Sequence, residues 1–416
     1  MRNAIEPIRT GDSSCSNTPA NLALARLPEP LNCRDPWRAP PKRPTGDERG
    51  TKAEVTTRRG CHGTGDFAYN QLWYFNFLDD GGDADPINDV AGVAAFGLAN
   101  PENLLGQVGL TNSFGMIIRD QSEGESFNVF APDVDPSVPG NFSASTSFQP
   151  GPGPELENPY GTIEVISPDE YQVAGSVTDG ARVISWDLNY RRGLGPGWLP
   201  WREWPMPATL NVVPAWITYH MQMANAVVNG TFTVDDGTTV DVYTLNDAKG
   251  YHDGFYSEFV FSIIEWDWLD YKQPDLSVHM LHSHAPDYSC GVLAPLDPCL
   301  PGNLRVFYDG TEYNFVRGEV DIVHDTLAHD PDYGADYPTE ETITAADDDG
   351  NVLTLHWTLL HQLPVFFDVP DPFDDTVTYE IIAEFDGSFY EASSDTTVPI
   401  AGTGWSDWSG TAITSP

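Results

Sequence analysis

Residues 231–245 read TFTVDDGTTVDVYTL. Phe232 and Val234 alternate with threonines, so one face of the run is apolar and the other polar, which is the period of a half-buried strand. The Asp-Gly pair at 236–237 then separates this run from a second alternating one, the sequence signature of a tight β-hairpin. The same device recurs in RVFYDGTEYNFV (305–316) and IIAEFDGSFYEAS (381–393), and with a longer turn in TITAADDDGNVLTLHWTLL (342–360). From DFAYNQLWYFNFLDD (66–80) onward the chain keeps this rhythm: short runs of Val, Ile, Thr, Tyr, Phe and Trp between Gly, Asp, Asn and Pro clusters. The fold class is therefore all-β and antiparallel. Helical periodicity is scarce, and WITYHMQMANAVV (216–228) fits a short helix or a strand equally.

The chain has 416 residues, enough for two or three domains. Two Pro- and Gly-rich stretches, 131–161 and 283–303, read as exposed loops, and no fixed-period repeat favours a propeller or solenoid. The expected organisation is a disordered leader over 1–64, one β domain over 65–245 and a second over 246–416. The leader carries 11 of the 20 Lys and Arg residues, whereas the remainder has 55 acidic against 9 basic groups. Such an abrupt change suggests either a functional tail or an upstream stretch translated from a start codon placed too early, and favours the second.

A net charge of −42 repels nucleic-acid phosphate and anionic membrane surfaces, so both are poor partners of the folded part and nucleic-acid binding is set aside. Carboxylates in this excess, with Lys249 and Lys272 the only lysines after the leader, suit a protein dissolved in concentrated salt. A cytoplasmic location in a high-salt organism is the expectation, since no eighteen-residue apolar run and no secretory h-region occur. Five cysteines, three of them in the leader, make no disulfide framework; Cys290 and Cys299 are either a bonded pair or two thiols.

Chemistry concentrates in KGYHDGFYSEFVFSIIEWDWLDY (249–271). Alternation places Trp266 and Trp268 on one face and Glu265 and Asp267 on the other. Two indoles side by side need a large apolar space opposite, as core or as ligand cavity. His252 and Asp253 follow Gly250 in a short polar break, where a strand end or bulge can aim side chains into a cavity mouth. An imidazole held by a carboxylate can donate and recover a proton near neutral pH, and aromatic faces stabilise the cation that results. The competing reading is a hydrogen-bonded surface turn.

These residues resemble a known family. GYHDGFY followed by EWDWLD is similar to the Tyr-His-Asp-His-Asn-Trp-Gly segment and Trp-x-Trp-Gly strand of the AttH-like and carotenoid 1,2-hydratase superfamily. That superfamily also takes in tocopherol-cyclase-like proteins and lipocalin-like fungal Diels-Alderases. NQLWYFNFLDDGG (70–82) is similar to its opening Glu-Trp-Trp-Tyr strand, and GTGWSDWSG (402–410) to its closing strand. The resemblance implies two lipocalin-like antiparallel β-barrels packed side by side. It implies cofactor-free cyclisation, isomerisation or hydration of an apolar polyene or isoprenoid, with no metal. Residue by residue, His252 and Asp253 match the family's first His-Asp, and Trp266 and Trp268 its tryptophan pair. The second His is Gly254 here, the Asn is Phe255 and the Trp-Gly is Tyr256-Ser257. The implied roles are His252 as proton donor, Asp253 as its orienting partner and Tyr256 as auxiliary donor, with Trp73, Tyr74, Tyr251, Trp266 and Trp268 as the substrate wall. A lipid or pigment carrier of the same fold, binding without reaction, is the alternative.

Other groups carry less. In HMLHSH (279–284) the alternation puts His282 and His284 on one face, where they could bind a transition metal, and His279 on the other. DPDYGADYPTEE (330–341) and AADDDGN (345–351) do not fit the twelve-residue calcium loop. Arg191, Arg192 and Arg202 interleave with Trp198, Trp201 and Trp204, with structural pairing as the default. No motif of a serine hydrolase, nicotinamide enzyme or nucleotide hydrolase is present.

Overall fold

The computed structural model describes residues 69–80, 90–99, 110–119, 124–144, 153–167, 169–193, 199–206, 215–258, 265–284, 303–367 and 376–411. The leader and the Cys290–Cys299 segment lie outside them. Twelve strands form the first sheet: β1 (Tyr69–Asp79), β2 (Val90–Ala99), β3 (Leu110–Arg119), β4 (Phe127–Phe130), β5 (Ser143–Ala144), β6 (Gly153–Asn158), β7 (Gly161–Ser167), β8 (Glu170–Thr178), β9 (Val183–Arg192), β10 (Leu199–Met206), β11 (Ala215–Asp235) and β12 (Val240–Glu258). Nine form the second: β13 (Glu265–Gln273), β14 (Leu276–His284), β15 (Asn303–Tyr308), β16 (Thr311–Val316), β17 (Val320–Asp330), β18 (Ala335–Ala346), β19 (Val352–Phe367), β20 (Thr376–Glu391) and β21 (Thr396–Thr411).

Both sheets are antiparallel, curled and built mostly from sequential hairpins. In each, a late strand returns to close on an early one: β12 lies beside β1, and β21 beside β13. The expected boundary between residues 245 and 246 falls inside β12, whose residues on both sides of it pair with β11. WITYHMQMANAVV belongs to the single long strand β11.

Apolar side chains sort into three layers. One fills the concave side of the first sheet and includes Trp73, Phe75, Phe77 and Phe232. A second fills the concave side of the second sheet, around Tyr271, Trp357 and Tyr379. Between them, Tyr74, Leu78, Phe114 and Tyr251 of the first sheet meet Trp268, Leu281, Leu363 and Trp405 of the second. Strands at this contact are covered on both faces, which is why β1 reads as the nearly continuous apolar run LWYFNFL instead of alternating. Each large aromatic withdraws about 150–250 Å² from water, about 4–6 kcal/mol gross, so this middle layer strongly favours the paired sheets.

The turns at 236–237 and 309–310 form as the sequence predicts, with Asp309 and Gly310 at φ of 47° and 73°. The Asp-Gly at 386–387 does not turn: β20 continues through it without interruption, and Asp386 pairs with His356. Gly387 instead takes φ of 146°, and a Cβ there would lie 2.1 Å from the Thr354 carbonyl oxygen. Glycine here permits a close backbone approach within a bent strand, the other physical use of the residue.

Candidate functional site

Between the two sheets lies a cavity of about 440 Å³, within the range of small-molecule sites. Leu72, Phe114 and Phe130 line it from the first sheet and Trp266, Trp268 and Leu281 from the second. Five of its lining residues are ionisable, and four of these, Tyr74, Asp253, Glu380 and Asp407, lie where the two sheets face each other, with Asp133 the fifth.

Register explains why these four meet. Tyr74 on β1 is paired with Asp253 on β12, so both side chains point out of the first sheet toward the second. Asp407 on β21 is paired with Trp268 on β13 on one side and with Glu380 on β20 on the other. The Tyr74 hydroxyl crosses the gap and donates to Glu380 Oε2 at 3.1 Å. The Trp266 indole N–H donates to Asp407 Oδ1 at 2.9 Å.

Electrostatics here favour neutral acids. Burial raises the Glu380 carboxyl to about 7; the Tyr74 hydrogen bond pulls it back and the Asp253 charge pushes it up. Burial and the Glu380 charge hold Asp407 well above the usual carboxylate range, against the Trp266 hydrogen bond. Burial, followed by the surrounding carboxylates, raises the Tyr74 hydroxyl in the same way. Two buried carboxyls on facing positions of neighbouring strands resist ionising together, so a proton is retained in the pair near neutral pH.

Of the residues predicted from sequence, Tyr74, Asp253, Trp266 and Trp268 line this cavity. Tyr251 belongs to the same inter-sheet layer and packs edge-on against Trp268 at 5.3 Å, behind the lining. The side chain of Tyr256 lies outside the described residues. His252 and Trp73 are placed elsewhere: both point into the interior of the first sheet. His252 and Asp253 are neighbours in the middle of β12, and consecutive strand residues face opposite sides, so imidazole and carboxylate do not meet as a side-chain dyad. The expected polar break is instead a continuous strand opposite irregular pairing in β11, between Met221 and Ala226.

His252 sits fully buried, stacked on Phe75 at 3.7 Å and edge-on to Tyr171 at 5.0 Å. Its Nδ1 donates to the Tyr74 carbonyl at 3.0 Å, and among the described residues Nε2 has no hydrogen-bond partner. Burial lowers it to about 3, which keeps the imidazole neutral and unsuited to donating a proton at neutral pH. The acids that face the cavity, Glu380 and Asp407, were not singled out from sequence. Asp407 lies within the family-like GWSDWSG, the one available signal; Glu380, in TVTYEIIAEF, lies in no motif.

A second group of ionisable side chains lies on the other face of β13. Asp267, between the two cavity tryptophans in sequence, meets His324 and Glu341 inside the second sheet. Burial opposes the charged form of His324, but hydrogen bonds to both carboxylates outweigh it and raise the imidazole to about 10.

No protein-family model and no curated protein matches the chain. Solved structures do. An AttH-assigned protein from Nitrosomonas europaea superposes with a TM-score of 0.53 at 11% identity, covering 83% of this chain and 93% of that one. This chain has the AttH-like fold. CghA superposes with a TM-score of 0.51 at 11% identity over 84% of this chain and 90% of its own, and so does CghA crystallised with Sch210972, over 83% and 89%. The AttH-like fold is thus shared over 83–84% of this chain at 11% sequence identity.

Proposed function

We propose that this AttH-like chain is a cofactor-independent enzyme of the hydratase or cyclase type, acting on an apolar polyene or isoprenoid-like substrate in the inter-sheet cavity. The observation that carries the reading is the Tyr74–Glu380 hydrogen bond, which joins the two sheets at the wall of a cavity that also presents Trp266, Trp268 and other apolar side chains. The Glu380–Asp407 pair is buried and holds a proton at the wall of this cavity. Transferred to a substrate alkene, that proton leaves a carbocation beside Trp266 and Trp268, whose π faces stabilise it. Capture by water gives hydration, with a proton returned to Asp253 or to the acid pair; capture by a second alkene closes a ring and moves the cation, which then loses a proton to Asp253 or the acid pair. A pericyclic closure needs only the cavity's shape and a hydrogen bond from the same acids. CghA crystallised with Sch210972 supports this use of the fold, since that protein binds a small molecule.

The test is native mass spectrometry with organic extraction of the full chain, followed by incubation of the extracted apolar compound with fresh protein. A compound returned chemically altered, with Glu380→Gln and Asp407→Asn each slowing turnover about 10²–10⁴-fold and retaining the ligand, supports the enzyme. The same compound returned unchanged makes the protein a carrier.

A further inference from the structure

Outside the cavity, one cluster among the described residues has the composition of a metal site: Asp267, His324 and Glu341. They come from three strands. His324 on β17 is paired with Glu341 on β18, and Glu341 is paired in turn with Trp357 on β19. Asp267 reaches them from β13, across the interior of the sheet. A register shift on β17 directly after His324 breaks the regular ladder there, a common device for re-aiming a side chain.

The geometry is close to that of a tetrahedral cation site. His324 Nε2 lies 2.9 Å from Asp267 Oδ1 and 3.1 Å from Glu341 Oε2. Two ligands about 2.1 Å from a tetrahedral ion stand about 3.4 Å apart, so an outward movement of a few tenths of an ångström admits one. The second Glu341 oxygen accepts from the Trp357 indole at 3.2 Å, which fixes the carboxylate plane as an outer-shell partner does in metal sites.

Asp267 and Glu341 are 3% and 1% exposed, so little water reaches their oxygens. A metal accepts all three groups simultaneously, and a dication offsets both carboxylates where they ionise. His324 is partly exposed, which opens the cluster to solvent and gives an ion a route in.

We propose that Asp267, His324 and Glu341, with water completing the coordination, form a site for a borderline transition-metal dication such as Zn²⁺, pinning β17 and β18 to β13. Imidazole with carboxylate selects such ions over Mg²⁺ and Ca²⁺, which prefer oxygen alone. The ion acts structurally, bracing the strand whose opposite face presents Trp266 and Trp268 to the cavity.

The probe is Co²⁺, titrated into the metal-stripped full chain in concentrated KCl with excess Mg²⁺ to occupy surface carboxylates. One equivalent should bind with the visible absorption of a low-symmetry cobalt site and be displaced by Zn²⁺. His324→Ala and Glu341→Gln should abolish that absorption. Absence of the cobalt bands, or their persistence in His324→Ala, overturns the proposal and leaves a histidinium clamp alone. Anomalous scattering from wild-type crystals grown with Zn²⁺ decides the matter should the variants fail to fold: a peak among the three side chains supports the site, and its absence there refutes it.

Discussion

Tyr74 and Glu380 are 306 residues apart in sequence and 3.1 Å apart at the cavity wall, where the hydroxyl of one sheet donates to the carboxylate of the other. This bond both ties the sheets and sets the acidity of Glu380, because it favours the ionised carboxylate that burial disfavours. Tyr74→Phe should therefore raise Glu380 further above about 7. The infrared band of its protonated carboxyl, assigned by its loss in Glu380→Gln, should persist to higher pH in Tyr74→Phe than in wild type. A stability loss of about 1–3 kcal/mol should accompany the change. A band that titrates at the same pH in both proteins contradicts this coupling.

Two buried groups in the first sheet should tilt the stability profile in opposite directions. His252 is lowered in the folded state to about 3 from 6.5, so below pH 6.5 the unfolded chain takes up a proton that the folded one refuses. Its effect is a loss of stability as pH falls toward 3, at up to about 1.4 kcal/mol per pH unit. Glu155, beside Trp73 and Tyr171, is raised by burial to about 7 from 4.5, so its contribution is present below 4.5 and is lost as pH rises toward 7. In urea unfolding across this range, His252→Phe should flatten the acid limb and Glu155→Gln the neutral one. Slopes are the readout, since His252→Phe also deprives the Tyr74 carbonyl of its donor and shifts the whole curve. Parallel curves for wild type and both variants would falsify the burial assignments.

Gly387→Ala should destabilise the second sheet by about 2 kcal/mol or more, because φ is positive and the new methyl would meet the Thr354 carbonyl. Gly180 is the control: its φ is 92°, yet nothing lies within 4 Å of an added Cβ, so Gly180→Ala should cost about 1 kcal/mol. Thermal melts of the two variants compare the clash with the backbone preference alone. Equal losses would mean that β20 can move away from β19 at little cost.

Gly387 also shows where sequence reading reached its limit. Asp-Gly between apolar runs means a turn when the chain must reverse and a bend when a long strand must curl, and the local residues are the same. Strand class, most hairpins and the two faces of β13 were legible because each depends on residues within a dozen positions. Asp407 stands in a recognisable motif, but its role depends on lying between Trp268 and Glu380, and Glu380 carries no local signal at all. The pairing of His252 with Asp253 failed for a simpler reason: adjacency in sequence suggested a dyad, and a continuous strand separates neighbours to opposite faces. Long-range register, which one sequence does not display, assembled the cavity acids.

Salt dependence is the remaining consequence of composition. Beyond the leader there are nine basic residues for 55 acidic ones. Most of the described basic residues are already engaged: Arg182 with Asp179, Arg192 with Asp169, Lys249 with Asp80, Lys272 with Asp270 and Arg305 with Glu312. Arg119, buried and donating to the Glu125 carbonyl, holds Asp241 at 3.0 Å and the Tyr243 hydroxyl at 2.9 Å. The other carboxylates repel one another with few cations to offset them, and unfolding relieves that repulsion by spreading the charges. Screening length falls from about 10 Å at 0.1 M to about 3 Å at 1 M salt, so the midpoint of thermal unfolding should climb steeply over that interval. KCl and tetramethylammonium chloride should act alike there if screening is the cause, whereas a midpoint unchanged by either salt would show that the folded chain tolerates its charge without help.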